Sequence, residues 1–144
     1  MKFIREQNPE VFMRKAAVSV LVVFMCIFMF TGCIGGGLTL EQRISSSQLE
    51  KLNEEIKNVP LFSTTFKDAK VEVEGNHVTY KYYYKMDLNA DQVAAVKSSL
   101  ESSGLDNEIV KLKESIKKDY GISDSTITYI YYNNDGSVVA KIEG

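Results

Sequence analysis

Lys70-Val71-Glu72-Val73-Glu74-Gly75-Asn76-His77-Val78-Thr79-Tyr80-Lys81-Tyr82-Tyr83-Tyr84-Lys85-Met86 is the stretch on which the fold turns. Val71 and Val73 alternate with charged residues, Gly75-Asn76 supplies a two-residue turn, and the alternation resumes from His77 to Met86, so the segment reads as a β-hairpin. In its second strand Val78, Tyr80, Tyr82, Tyr84 and Met86 fall on one face, while His77, Thr79, Lys81, Tyr83 and Lys85 fall on the other. A sheet with one greasy and one polar face is covered on the greasy side only.

Working outward, the segment before the hairpin carries Leu49, Leu52, Ile56 and Val59 at steps of three and four, which is the stripe of an amphipathic helix. Thr39 with Gln42 forms a capping-box signature at its start, and Pro60 is expected to end it. Its other face holds Glu50, Lys51, Glu54, Glu55 and Lys57, a solvated surface. After the hairpin, helical periodicity runs from about Ala90 to Asp119, interrupted at Ser102-Ser103-Gly104, and Gly121 caps its end. Ser125 to Tyr132, a turn at Asn133-Asn134-Asp135-Gly136, and Ser137 to Glu143 make a second hairpin. The reading is an α+β domain over 39–144, order α-β-β-α-β-β, with helices on one face of a four-stranded, mostly antiparallel sheet. A helical crossover returns the third strand parallel to the second, and pattern alone leaves the strand order open. Beyond a weak helix-hairpin duplication the sequence shows no internal repeat.

The N-terminal part is of another kind. Ala16 to Phe30 contains no charge and follows directly on Arg14-Lys15, the layout of a secretory signal with its basic flank held inside. The run ends in Phe30-Thr31-Gly32-Cys33, which resembles the lipobox of bacterial lipoprotein signals, although Phe30 stands where that pattern usually has Leu. The resemblance implies a diacylglyceryl group on the Cys33 thiol, cleavage just before it, and a protein held by its acyl chains on the outer face of the cell membrane. Residues 1–32 would then be the signal and 33–38, with Gly35-Gly36-Gly37, the tether. The alternative is an uncleaved anchor, because an apolar helix over 16–34 is long enough to span a bilayer. Both readings put the domain outside.

The lipobox, the glycine tether, and the hairpin sequences Val71-Glu72-Val73-Glu74-Gly75-Asn76 and Thr79-Tyr80-Lys81-Tyr82 together resemble small Gram-positive lipoproteins that carry a domain of unknown function. The resemblance covers most of 39–144 and implies the fold; it implies no activity, for that family brings no established catalytic residues.

Composition narrows the chemistry further. Residues 1–32 carry four basic and two acidic residues, which leaves 13 basic against 17 acidic in the remainder, a balance unsuited to nucleic acid. Both cysteines, Cys26 and Cys33, precede the domain, so it has neither a disulfide framework nor a cysteine metal site. His77 is the single histidine; an envelope hydrolase or metal-dependent enzyme would have to use it with carboxylates such as Glu72 or Glu74, which nothing in the spacing selects. Gly-x-Ser-x-Gly is absent, and the glycine triplet lacks the Lys and Ser or Thr of a phosphate loop. Asp87 and Asp91 read as helix N-terminal charges, and Asn133-Asn134-Asp135-Gly136 is too short for an EF-hand loop. The expectation is a non-enzymatic module without a cofactor.

Tyrosine is the feature that remains, with seven of the eight at 80, 82, 83, 84, 129, 131 and 132. Most belong to the core. Tyr83 and Tyr132 fall on the opposite face, where Ile130 and Val139 also point if both hairpins keep a regular register, and that patch is the candidate binding face for a surface protein or a glycan.

Overall fold

A computed structural model describes residues 37–144. The signal or anchor segment, the lipobox residues Phe30, Thr31 and Gly32, and Cys33 lie outside the described residues. Within 37–144 the elements run α1 (Leu40–Arg43), α2 (Ser46–Lys57), α3 (Phe62–Thr65), β1 (Phe66–Glu74), β2 (His77–Tyr84), α4 (Ala90–Glu101), α5 (Leu105–Tyr120), β3 (Thr126–Tyr132) and β4 (Val138–Glu143).

The expected first helix is two. Thr39 and Gln42 close the anticipated capping box, but Ser45 and Gln48 close a second one, so a new helix begins two residues after the first has capped on Ile44. Leu52 and Ile56 carry its stripe into the core. The helix ends at Lys57, before Pro60. Leu61 then takes the left-handed conformation (φ 68°) and starts a short helical turn, α3, that the sequence pattern did not announce; Phe62 is its buried anchor. The break at Ser102-Ser103-Gly104 is real. Ser102 and Ser103 hydroxyls take carbonyls of the preceding turn, and Gly104, at φ 78°, starts α5 in a conformation that costs a side-chain-bearing residue free energy.

The sheet order is β1-β2-β3-β4, with β1·β2 and β3·β4 antiparallel and β2·β3 parallel. The parallel central pair is what a helical crossover between adjacent strands requires. Its register aligns Val78 with Ile127, Thr79 with Thr128, Tyr80 with Tyr129, Tyr82 with Tyr131 and Tyr83 with Tyr132. Parallel strands in register place like residues beside each other, and three tyrosine pairs stack with ring centroids 4.7, 5.2 and 4.8 Å apart. Such pairs contribute about 0.5–1.5 kcal/mol each beyond their burial.

The core lies between one face of the sheet and the helices. Tyr80, Tyr82, Tyr84, Tyr129 and Tyr131 enter it beside Phe62 and Phe66, against Ile56, Leu100, Leu112 and Ile116. Met86 does not share that face: β2 stops at Tyr84, and Met86 stands 57 % exposed in the loop that follows. That loop is tied to the β3–β4 turn by one buried amide, since Asn133 accepts from the Leu88 N–H (2.8 Å) and donates to the Leu88 carbonyl (3.0 Å).

Candidate functional site

Strand register sorts the uncovered face of the sheet into cross-strand rows. Glu74, His77 and Thr126 form one, Glu72, Thr79, Thr128 and Glu143 the next, Lys70, Lys81, Ile130 and Lys141 the third, and Asp68, Tyr83, Tyr132 and Val138 the last. Polarity therefore changes along the strands, from a histidine end to an aromatic end.

At the aromatic end Tyr83 and Tyr132 lie nearly parallel, 4.8 Å apart with 10° between ring planes. Both are half-buried, as is Ile130 in the neighbouring row. The structure thus brings together three of the four residues expected on this face. Val139 is not among them. β4 bulges between its pairings with Tyr131 and Tyr132, so Tyr131 faces Ala140 while Tyr132 faces Val138. One extra residue reverses the alternation, which turns Val139 into the core (1 % exposed) and leaves Val138 outside at 59 %. A regular-register reading of Ser137 to Glu143 misses this because a bulge is set by pairing with β3, and the burial of two consecutive residues is its only trace in the pattern.

The middle of the face is an ion-pair lattice. Glu72 bonds Lys81 across the β1–β2 pair and also reaches Lys70 on its own strand (2.8 Å), while Lys141 pairs Glu143 at 2.8 Å. Hydrogen bonds from Lys70 and Lys81 hold the Glu72 carboxyl below the usual range, and the bond to Glu72 holds the Lys81 ammonium above its own. These pairs are half exposed and worth little individually; they keep the lysine row charge-compensated.

His77 sits at the far end with both ring nitrogens occupied, Nδ1 against the Thr126 hydroxyl and Nε2 3.2 Å from that of Thr128. A hydroxyl both donates and accepts, so either neutral tautomer is satisfied. Neither Glu72 nor Glu74 bonds the ring. Among the described residues no group of three His, Cys, Asp or Glu side chains is placed to hold a metal ion. The Asn133–Gly136 turn likewise has its side-chain oxygens engaged, Asn133 Oδ1 accepting from the Leu88 N–H, Asn134 Oδ1 from the Lys67 ammonium, and the Asp135 carboxylate from the Ser137 amide and hydroxyl. Asp87 is exposed ahead of α4, where Asn89, capped with Gln92, makes the helix start.

Residues 40–143 match the model of one protein family, described as a domain of unknown function, DUF4854. The chain belongs to the DUF4854 family. No curated protein and no solved structure matches it. The match runs from the first residue of α1 to the last of β4, so every element of the DUF4854 domain, and the whole uncovered sheet face, falls inside it.

Proposed function

We propose that this DUF4854 chain is a membrane-anchored, extracytoplasmic binding module without catalytic activity, and that it captures a protein partner on the uncovered face of its sheet. The observation that carries the reading is the Tyr83–Tyr132 stack, a rigid aromatic pair flanked by Ile130 and exposed Val138 on the side that the helices leave bare. Tyrosines held this way offer contact area with little conformational entropy left to lose, which is why they anchor protein interfaces. Ion pairs beside the stack supply a polar rim. His77, held between two threonine hydroxyls, supports a structural role over that of a general base.

The anchoring half of the proposal rests on sequence: a basic flank, an apolar run, and Phe30-Thr31-Gly32-Cys33 leading into glycines. Metabolic labelling with a clickable fatty acid tests it, comparing the intact chain with Cys33→Ala in a Gram-positive host. Label lost in the variant supports the lipoprotein; retention in the membrane without label supports the uncleaved helix over 16–34. For the binding half, the full chain is crosslinked in the envelope through a photoreactive residue at Thr79. A protein adduct that disappears in Tyr83→Ser/Tyr132→Ser, and persists when Glu54 on the helical side is replaced by Ser, is the expected result. An adduct unchanged by the double substitution places the partner elsewhere, and a glycan adduct replaces the protein partner with a sugar.

A further inference from the structure

The two edges of the sheet are treated differently. At the β1 edge side chains occupy the middle of the outward backbone: Asn53 of α2 accepts from the Val71 N–H (2.6 Å) and donates to the Val71 carbonyl (3.1 Å), and Asp68 accepts from the Ala69 N–H (2.9 Å). A bulge at Lys67 and the Lys57–Asp68 ion pair at 2.7 Å disrupt that edge further. An edge interrupted in this way is a poor template for another strand.

The β4 edge has no such cover. Gly144 and Ile127 exchange both of their N–H···O=C bonds (2.9 and 3.0 Å), and alternation along an antiparallel pair then turns the peptide groups of Ile142 toward β3 and those of Lys141 and Glu143 outward. Among the described residues no group bonds these outward amides and carbonyls. Alongside runs a groove of about 290 Å³ between α4 and β4, lined by Lys97, Leu100, Glu101, Ala140 and half-buried Ile142.

We infer that β4 pairs antiparallel with β4 of a second copy of this chain, about a two-fold axis at Ile142. Charge selects both occupant and register. With the axis at Ile142, Lys141 faces Glu143 of the second copy and Glu143 faces its Lys141, and these are the residues whose peptide groups point outward, so charge pairing and backbone bonding coincide. Moving the axis to Lys141 or Glu143 sets like charges face to face. A lone edge lysine repels an incoming strand; Lys141 followed by Glu143 complements itself. On the helical side Ile142 meets Ile142 of the second copy over the groove. The added strands extend the sheet in its own plane, so the Tyr83–Tyr132 face stays open and the inference stands independently of the partner proposed for it.

The test is sedimentation of the full chain in density-matched detergent over a range of concentrations, with far-ultraviolet circular dichroism as the fold control. Wild type is expected to dimerise reversibly. Lys141→Glu and Glu143→Lys should each weaken the dimer at least tenfold, the double exchange Lys141→Glu/Glu143→Lys should restore it, and an equimolar mixture of the two single variants should form a heterodimer. A wild-type monomer throughout, or a dimer insensitive to Lys141→Glu, overturns the inference, as does a double exchange that stays monomeric.

Discussion

Raising the pH should unfold this domain through its own core. Tyr80, Tyr82, Tyr84, Tyr129 and Tyr131 are buried, and desolvation pushes all five phenols above their ordinary range. An unfolded tyrosine ionises near pH ~10. The folded chain therefore holds these protons more tightly than the unfolded one, so the stability they contribute is intact below about pH 10 and is lost as the pH climbs toward the folded values. Each phenol costs about 1.4 kcal/mol per pH unit above that point. Five together cost about 7 kcal/mol at about pH 11 and twice that one unit higher, against a typical total stability of about 5–15 kcal/mol. Following tyrosinate absorbance and far-ultraviolet circular dichroism together, we expect the helical signal to be lost in one steep transition between about pH 11 and 12, with the ionisation of these five phenols rising in the same window. Ionisation of these five with the helical signal intact would overturn the prediction, because it would mean that the buried phenols reach water without unfolding.

Two substitutions probe the sheet in other ways. Val139→Asp should cost more than about 3 kcal/mol in urea unfolding, since it places a charge in the core, while Val138→Asp should stay within about 0.5 kcal/mol; similar values for the two would remove the bulge. Asn53→Leu deprives both Val71 peptide groups of their partner and should lower stability by roughly 1–2 kcal/mol, with the denaturant slope unchanged.

The elements were legible in the sequence because each is written in local chemistry. Alternation around Gly75-Asn76 marks the first hairpin, capping boxes at Thr39 and Ser45 mark helix starts, and Ser102-Ser103-Gly104 marks a break. Tyr83, Tyr132 and Ile130 were found on one face for the same reason, since side-chain direction in a strand has a period of two.

What the local pattern does not contain is pairing. Regular alternation puts Val139 on the wrong face because the bulge depends on how β4 meets β3, and wrongly puts Met86 in the core because β2 ends where its neighbours stop pairing with it. Strand order, the parallel centre and the tyrosine stacks belong to the same class, as does the contrast between an edge closed by Asn53 and an edge left open at Lys141 and Glu143. An α+β domain with one greasy sheet face follows from the order of residues alone, because burial must follow periodicity. Which residues share a surface follows from the folded arrangement instead, because register and edges arise from contacts between segments far apart in the chain.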